Sequence, residues 1–210
     1  MKTILLKDED PICIELPEGG DDSGDHHIHF VFPAPVCAAI DIIAVTWAEP
    51  SYLVSFEPAS VSLPKLTCLA CCEGNFGVFE SLLKIIDAPA TEQVALWGTD
   101  MRAIPEEIFL LNSLQSIDIS NKVPYSVPDV IRNLVNLERF IANRSSSIEY
   151  LSPELFRLPR IRHIDLKLSN YEATPEVLAA AETFVAAGGF LKIWNEVGDA
   201  SKLPSSLTGI

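Results

Sequence analysis

One six-position pattern returns at nearly constant spacing through the second half of the sequence and limits what the chain can fold into. Each copy carries apolar residues at its first, fourth and sixth positions. The clearest copies begin at Leu114, Leu137 and Ile161, and a weaker copy begins one interval before them, at Thr91. This regular repetition indicates an architecture in which each unit buries its apolar face against its neighbours.

A second element follows each copy after a loop. It is a dipeptide such as Ile104-Pro105 or Val127-Pro128, followed by apolar residues spaced by three. Together the two elements resemble the leucine-rich repeat family, whose unit of about 23 residues reads L-x-x-L-x-L, a loop, and L-P-x-x-I-x-x-L-x-x-L. The resemblance is clear from Thr91 to Leu178 and extends in weaker form from Leu66 to Ile210.

The resemblance implies an α/β fold. It predicts a short solenoid with parallel strands on a concave face and helical or 3-10 returns on a convex face. The solenoid is expected to span residues 63–210, with degenerate first and last copies; the last would read Phe190-x-x-Ile193-x-Asn195. Before that last copy, an α-helix of about three turns is predicted after Thr174, because proline stands at its first turn, alanine and glutamate lie within it, and Gly188 and Gly189 stand at its end. Because an end copy would expose its core to water, residues 1–62 are predicted to form a β-rich N-terminal cap or small domain.

The N-terminal region reads as short apolar runs separated by polar turns. Strands are predicted over residues 2–6 and 12–16, and another over 27–32 that returns along them. The long apolar run from Val36 to Trp47 has no decisive period, so either a helix that turns into a strand or one buried strand is expected there.

The repeat frame also predicts which side chains face away from the core. Large aromatic and arginine side chains on such a rigid face can supply much of the energy of a protein interface. The alternative is that Trp97 covers a neighbouring aliphatic side chain and that the arginines are ordinary solvated charges. The predicted partner-binding residues are Trp97, Asp118, Arg139, Ile141, Asn143, Arg162, His163 and Lys167.

Many members of the family carry an asparagine at the ninth position of the unit, and its side chain bonds the backbone of the neighbouring turn. Here that position reads Thr99, Lys122, Ser145 and Ser169. Threonine and serine hydroxyls can form such a bridge, but a lysine side chain has no acceptor and a different reach. A looser loop is therefore predicted at Lys122.

Charge and composition narrow the class of partner and the compartment. The net charge of −14 argues against nucleic acid and anionic membranes as partners. Residues 131–167 nevertheless carry seven basic residues against four acidic ones, a net charge of +3, which favours acidic ligands there or reflects chance clustering. The short apolar run at the N-terminus and the odd number of cysteines, five, predict a cytoplasmic protein with reduced thiols.

Two clusters carry residues of the kind that bind metals. His27 and His29 share one face of a predicted strand, so with a nearby carboxylate they could bind a divalent ion; solvated histidines at a strand edge are the alternative. Cys68, Cys71 and Cys72 lie close together, but the repeat frame places Cys71 in the core and Cys68 on another face. Packed or exposed thiols are therefore predicted, with no metal and no cofactor.

One pair, His163 and Asp165, shares a strand face and could in principle act as a base and the group that orients it, but no nucleophile accompanies it. The predicted function is a non-enzymatic interaction module that binds another protein on its concave face. Two other hypotheses stay open: the repeats recruit a substrate to a metal-dependent N-terminal region, or the chain is a structural subunit of an assembly.

Overall fold

The computed structural model describes residues 2–5, 12–15, 27–46, 53–72, 76–99, 101–121, 123–142, 148–167 and 171–194. The chain divides into two compact units, Met1–Asp100 and Met101–Ile210. Both are of mixed α/β type, with open sheets of parallel strands and few helices.

The elements of the first unit follow a simple pairing scheme. Strands β2, β4, β7 and β9 lie side by side in that order, β1, β3 and β5 form a separate three-stranded sheet, and β6 pairs with β8. The elements are β1 Lys2–Leu5, β2 Ile12–Glu15, β3 His27–Val31, α1 Ala34–Ala39, β4 Ile42–Thr46, β5 Leu53–Glu57, β6 Val61–Ser62, β7 Cys68–Cys72, α2 Phe76–Leu83, β8 Ile86–Asp87 and β9 Gln93–Thr99.

In the second unit, strands β10, β12, β14 and β15 lie side by side in that order, and β11 pairs with β13. Short 3-10 helices η1 and η2 and two α-helices lie between the strands. The elements are η1 Glu106–Leu110, β10 Ser116–Asn121, β11 Tyr125–Val127, η2 Asp129–Asn133, β12 Arg139–Ala142, β13 Ile148–Leu151, α3 Glu154–Arg157, β14 His163–Lys167, α4 Pro175–Ala186 and β15 Phe190–Trp194.

The strands predicted near the N-terminus are confirmed as β1, β2 and β3. The prediction that the third strand returns along the first two was wrong, because β3 runs parallel to β1 and belongs to a different sheet from β2. The apolar run from Val36 to Trp47 takes the first of its two predicted forms, since the helix α1 leads into the strand β4.

Strands from before and after residue 62 pair with each other within the first unit. Strand β4 pairs with β7, and Ile43 lies opposite Leu69. Ile40, Ile43 and Val45 are all buried. They occupy the first, fourth and sixth positions of a further copy of the pattern, one interval before the copy at Leu66, which the prediction missed.

The core of the second unit follows the predicted columns. Phe140 lies opposite Ile117 on one side and Ile164 on the other, and all three side chains are fully buried. Neighbouring side chains along a strand point to opposite faces, so the fourth and sixth positions of each copy share the inner face. Each fully buried side chain of this size contributes roughly 1.5–3 kcal/mol.

The long helix predicted after Thr174 is confirmed as α4. The Thr174 hydroxyl caps it by accepting a hydrogen bond from the Val177 backbone N–H at 3.3 Å, and proline stands at its first turn. After the helix, Gly188 has a φ of +88°, a left-handed conformation that glycine adopts without a steric penalty.

The predicted frame of the last copy was wrong by two residues. Phe190 lies opposite His163, and Leu191 lies opposite Ile164, so Leu191 takes the inward position assigned to Ile193. After α4, the backbone of Gly189 lies against the ring of Phe184, where a Cβ atom would clash. The alternation of β15 is set by its pairing with β14.

Buried polar side chains tie neighbouring turns together. Within the first unit, the Thr91 hydroxyl donates to the Leu66 carbonyl at 3.2 Å, which explains a polar residue at a first position. Within the second unit, Asn121 donates from Nδ2 to the carbonyls of Met101 and, at 2.8 Å, Val123. The prediction missed Asn121 because it looked for the asparagine at the ninth position of the unit, which is Lys122, one residue later. Lys122 lies outside the described residues, so the looser loop predicted there stays a prediction.

Candidate functional site

In the second unit, side chains that point away from the core line up across neighbouring strands. They do so because residues at equivalent positions of each strand lie opposite each other. Arg139 lies between Ser116 and His163, and Phe190 follows His163 on the edge strand. We call this surface the outward face of the second unit. Its described side chains are Ser116, Asp118, Ser120, Arg139, Ile141, His163, Asp165, Phe190 and Lys192.

An aromatic pair lies at the β15 edge of this outward face. The rings of His163 and Phe190 stack with their centroids 4.7 Å apart and an interplanar angle of 20°. Burial lowers the pKa of His163 below its ordinary value, the charges of Arg139 and Lys192 lower it further, and Asp165 opposes them. Partial burial and two nearby cations thus favour the neutral form of the imidazole.

Three further predicted site residues lie on this face. Arg139 is exposed, and Ile141 and Asp118 are half-buried. Asp165 also lies on it but is only 7% exposed. The groups around His163 are therefore a phenyl ring, two cations and a shielded carboxylate, and none of them supplies the hydroxyl or thiol that a base-assisted nucleophile needs.

Arg162 is not on the outward face. It precedes β14, its Nη1 donates to the Ile161 carbonyl at 3.0 Å, and it lines a groove of about 530 Å³ beside α3 and α4. Of the remaining predicted residues in this unit, Asn143 lies outside the described residues, and only the backbone of Lys167 is described, within β14. The structure therefore brings together four of the predicted residues here: Asp118, Arg139, Ile141 and His163.

Sequence reasoning missed Phe190 and Lys192, which complete the outward face. The misplaced frame of the last copy assigned Phe190 to the core, whereas 41% of it is exposed. The alternation of Leu191 and Ile193 directly after two glycines was the available signal, because a strand that starts there must turn Phe190 and Lys192 to the other side.

Trp97 lies on the outward side of the first unit, where 45% of it is exposed. It is opposite Cys72 on β7. The alternation predicted for the thiols is confirmed, because Cys71 is buried in the core while Cys68 and Cys72 are half-buried on the other face. The Trp97 ring therefore offers apolar surface on a strand whose neighbours on that side are small.

His29 has two hydrogen-bond partners on the neighbouring strand β5. Its Nδ1 lies 2.8 Å from the Ser55 hydroxyl, and its Nε2 lies 3.1 Å from a carboxylate oxygen of Glu57. A neutral imidazole satisfies both by donating from Nε2 and accepting at Nδ1. Only the backbone of His27 is described, opposite Leu53. The part of the chain that the structure describes contains no group of three or more potential metal ligands.

The comparisons with known proteins do not show which family the chain belongs to. No protein-family model matches the chain, and no curated protein matches it. Among the described residues, no helix is both long and apolar enough to cross a membrane. The chemistry of the outward face of the second unit is therefore the basis on which a function is proposed.

Proposed function

We propose that this chain is a leucine-rich-repeat solenoid and a non-enzymatic interaction module that binds another protein through the outward face of the second unit. The observation that carries this proposal is the exposed Phe190 ring stacked on His163, on the same face as the exposed Arg139. The proposal of a solenoid is supported by parallel strands in register and by the recurring spacing of the pattern.

The composition of this face fits an interface. Aromatic and arginine side chains are enriched among the residues that carry most of the binding energy, and they act best when neighbouring groups exclude water from them. Phe190 supplies apolar surface, Arg139 supplies five hydrogen-bond donors, and Ile141 is half-buried beside them. A protein partner covers such a mixed surface better than a small ligand, because the face is open rather than enclosed.

The strands beneath the face limit the cost of binding. Their inward side chains, such as Phe140 and Ile164, are fully buried and hold the backbone in place. Because these strands are ordered before a partner arrives, little conformational entropy is lost on binding. Exposed apolar and charged groups on this support are therefore the groups expected to contribute affinity.

The test is affinity capture with the full-length chain as bait and quantitative mass spectrometry as readout. The face variant is Arg139→Ala with Phe190→Ala. Its matched control is Arg132→Ala with Val135→Ala. This control also removes one exposed arginine and one exposed apolar side chain, but at η2 and just after it; Val135 is 48% exposed. Two interface residues worth more than 1 kcal/mol each predict a loss of about tenfold or more in the recovery of a specific partner.

Both variants are expected to melt close to the wild-type temperature, since exposed substitutions usually change stability by about 0.5 kcal/mol or less. Loss of a partner from the face variant but not from the control supports the proposal. Equal recovery by the two variants rejects this face. Recovery of the chain itself as the lost partner, tested with two differently tagged copies, would instead make the face an assembly contact.

A further inference from the structure

The first unit contains a hydroxyl, an imidazole and a carboxylate joined in a row. His29 on β3 lies opposite Ser55 on β5, and Glu57 stands two residues further along β5. The Nδ1 atom of His29 is 2.8 Å from the Ser55 hydroxyl, and its Nε2 atom is 3.1 Å from a carboxylate oxygen of Glu57. A base-assisted nucleophile has its groups in this order, because the base bonds the nucleophile and a third group orients the base.

The hydrogen bonds assign a role to each ring nitrogen. A neutral imidazole that donates from Nε2 to the Glu57 carboxylate has its lone pair at Nδ1, where it accepts from the Ser55 hydroxyl. Opposite His29 on its other neighbouring strand, β1, stands Thr3, a residue that carries no charge. Among the described side chains, the charged partner of the imidazole is Glu57. The carboxylate therefore keeps the proton on Nε2 and leaves Nδ1 as the base.

The two strands hold this row in place and leave it accessible to solvent. On their other side, Phe30 is fully buried, and its ring stacks on Phe56 with centroids 5.6 Å apart. Neighbouring residues along a strand point to opposite faces, so this packing fixes the backbone beneath His29 and Ser55. Ser55 is half-buried, and the side chains of His29 and Glu57 are 21% and 67% exposed. A small molecule can therefore approach the row from solvent.

We propose that Ser55 is a nucleophile that accepts an acyl group from an uncharged, activated ester, with His29 as its base and Glu57 as a positioning residue. In this step the Ser55 oxygen attacks the carbonyl carbon of the ester while Nδ1 of His29 takes the hydroxyl proton. The bond from that carbon to the leaving oxygen then breaks, and the leaving alcohol takes the proton from Nδ1. The products are an ester on Ser55 and a free alcohol. This reaction is separate from the proposed binding of a partner and consists of one transfer without turnover.

The chemistry of the row selects the class of donor. Assistance by a general base contributes roughly 10²–10⁴-fold to such a step. This gain suits a donor with a good leaving group, such as an aryl ester, rather than an amide. An uncharged donor is favoured because the Glu57 carboxylate is two-thirds exposed beside the hydroxyl and the net charge of the protein is −14.

The experiment exposes the full chain to p-nitrophenyl acetate, and peptide mass spectrometry follows the acetyl group at each serine over time. Ser60, an exposed serine of the same unit, is the internal control. Ser55 is expected to be acetylated at least about 100-fold faster than Ser60, which is the lower end of the range for base assistance. His29→Gln is expected to remove this advantage, whereas the matched control His163→Gln is expected to retain it.

The pH profile separates a base from a histidine that only supports the strands. The rate at Ser55 is expected to rise between about pH 5 and pH 8, where an imidazole ordinarily loses its proton, and then to level off. Acetylation of Ser60 depends on hydroxide instead, so its rate is expected to keep rising. Glu57→Gln keeps a side-chain oxygen that can accept from Nε2, so it is expected to slow the reaction less than His29→Gln does.

Equal rates at Ser55 and Ser60, or an advantage of Ser55 that survives in His29→Gln, would overturn the inference. A rate at Ser55 that keeps rising with pH would also overturn it, and this measurement needs only the wild-type chain if His29→Gln does not fold. Partner capture by the outward face of the second unit is measured separately. Failure of either experiment therefore leaves the other result standing.

Discussion

Replacing Phe140 with alanine is the most direct test of the packing inside the second unit. The ring is fully buried and lies in register between Ile117 and Ile164. Neighbours held by strand pairing can fill the resulting cavity only in part, so the substitution is expected to cost roughly 3–5 kcal/mol. Since a typical domain is stable by about 5–15 kcal/mol, this single change removes a large share of the free energy of unfolding.

The measurement is urea unfolding of the full chain, followed by tryptophan fluorescence and far-UV circular dichroism. Two probes are used because the two units can unfold in separate transitions. The transition midpoint is expected to fall while its slope with urea stays constant. If Phe140→Ala does not fold, Ile164→Val tests the same column at a smaller cost of roughly 0.5–1.5 kcal/mol.

The matched control is Ile141→Ala, one residue along the same strand. Ile141 is half-buried and points to the outward face, so its truncation is expected to cost about 1 kcal/mol or less. Equal costs for Phe140→Ala and Ile141→Ala would refute the packing described here. A larger cost for Ile141 would mean that the strand has slipped by one residue, which exchanges the two faces.

Two further predictions concern polar side chains. Asn121→Ala removes the donor to the Met101 carbonyl, and the unpaired buried carbonyl is expected to cost about 1–3 kcal/mol, read from the urea midpoint. Asp129→Asn tests pH dependence: hydrogen bonds from Ser152, at 2.6 Å, and from Tyr150 lower the pKa of Asp129 from its ordinary value of 3.8. The folded carboxylate thus holds its proton less tightly than the unfolded one. Its stabilising contribution is present above pH 3.8 and is lost as the pH falls through the lower folded pKa, so the difference in Tm between wild type and variant should shrink as the solution is acidified.

Each of these predictions has its own control. Asn133→Ala removes an exposed asparagine from η2 and is expected to leave the urea midpoint nearly unchanged. A cost for Asn121→Ala no larger than that of this control would contradict the proposed role of the amide. For Asp129, a Tm difference that is constant from neutral pH to well below 3.8 would show that the two hydroxyl donors do not stabilise the charged carboxylate.

Much of the inner side of the fold could be predicted from the sequence. The spacing of the pattern predicted that Leu69, Ile117 and Ile164 face the core, and all three are fully buried. The helix α4 was predicted from Pro175 at its start and the glycines at its end. These features depend on residues close together in the chain, so their signals are local.

The outer side could be predicted only in part, because its chemistry depends on pairing between distant strands. The repeat frame placed Arg139 and His163 on one face, but not Phe190, which approaches His163 from the next strand of the sheet, beyond α4. The register of β15 is set by its pairing with β14, a strand that lies before α4 in the chain. The alternation of Leu191 and Ile193 was the local signal for it.

By itself the sequence determined the buried columns of the regular copies, since their apolar residues recur at a spacing that places them on one side of successive strands. It also determined the net charge of −14. Only the tertiary structure decided that Arg139, His163, Phe190 and Lys192 share one surface. The physical reason is that strand register is set by hydrogen bonds and packing between segments far apart in the chain, and a shift of one residue would turn each of these side chains to the other face.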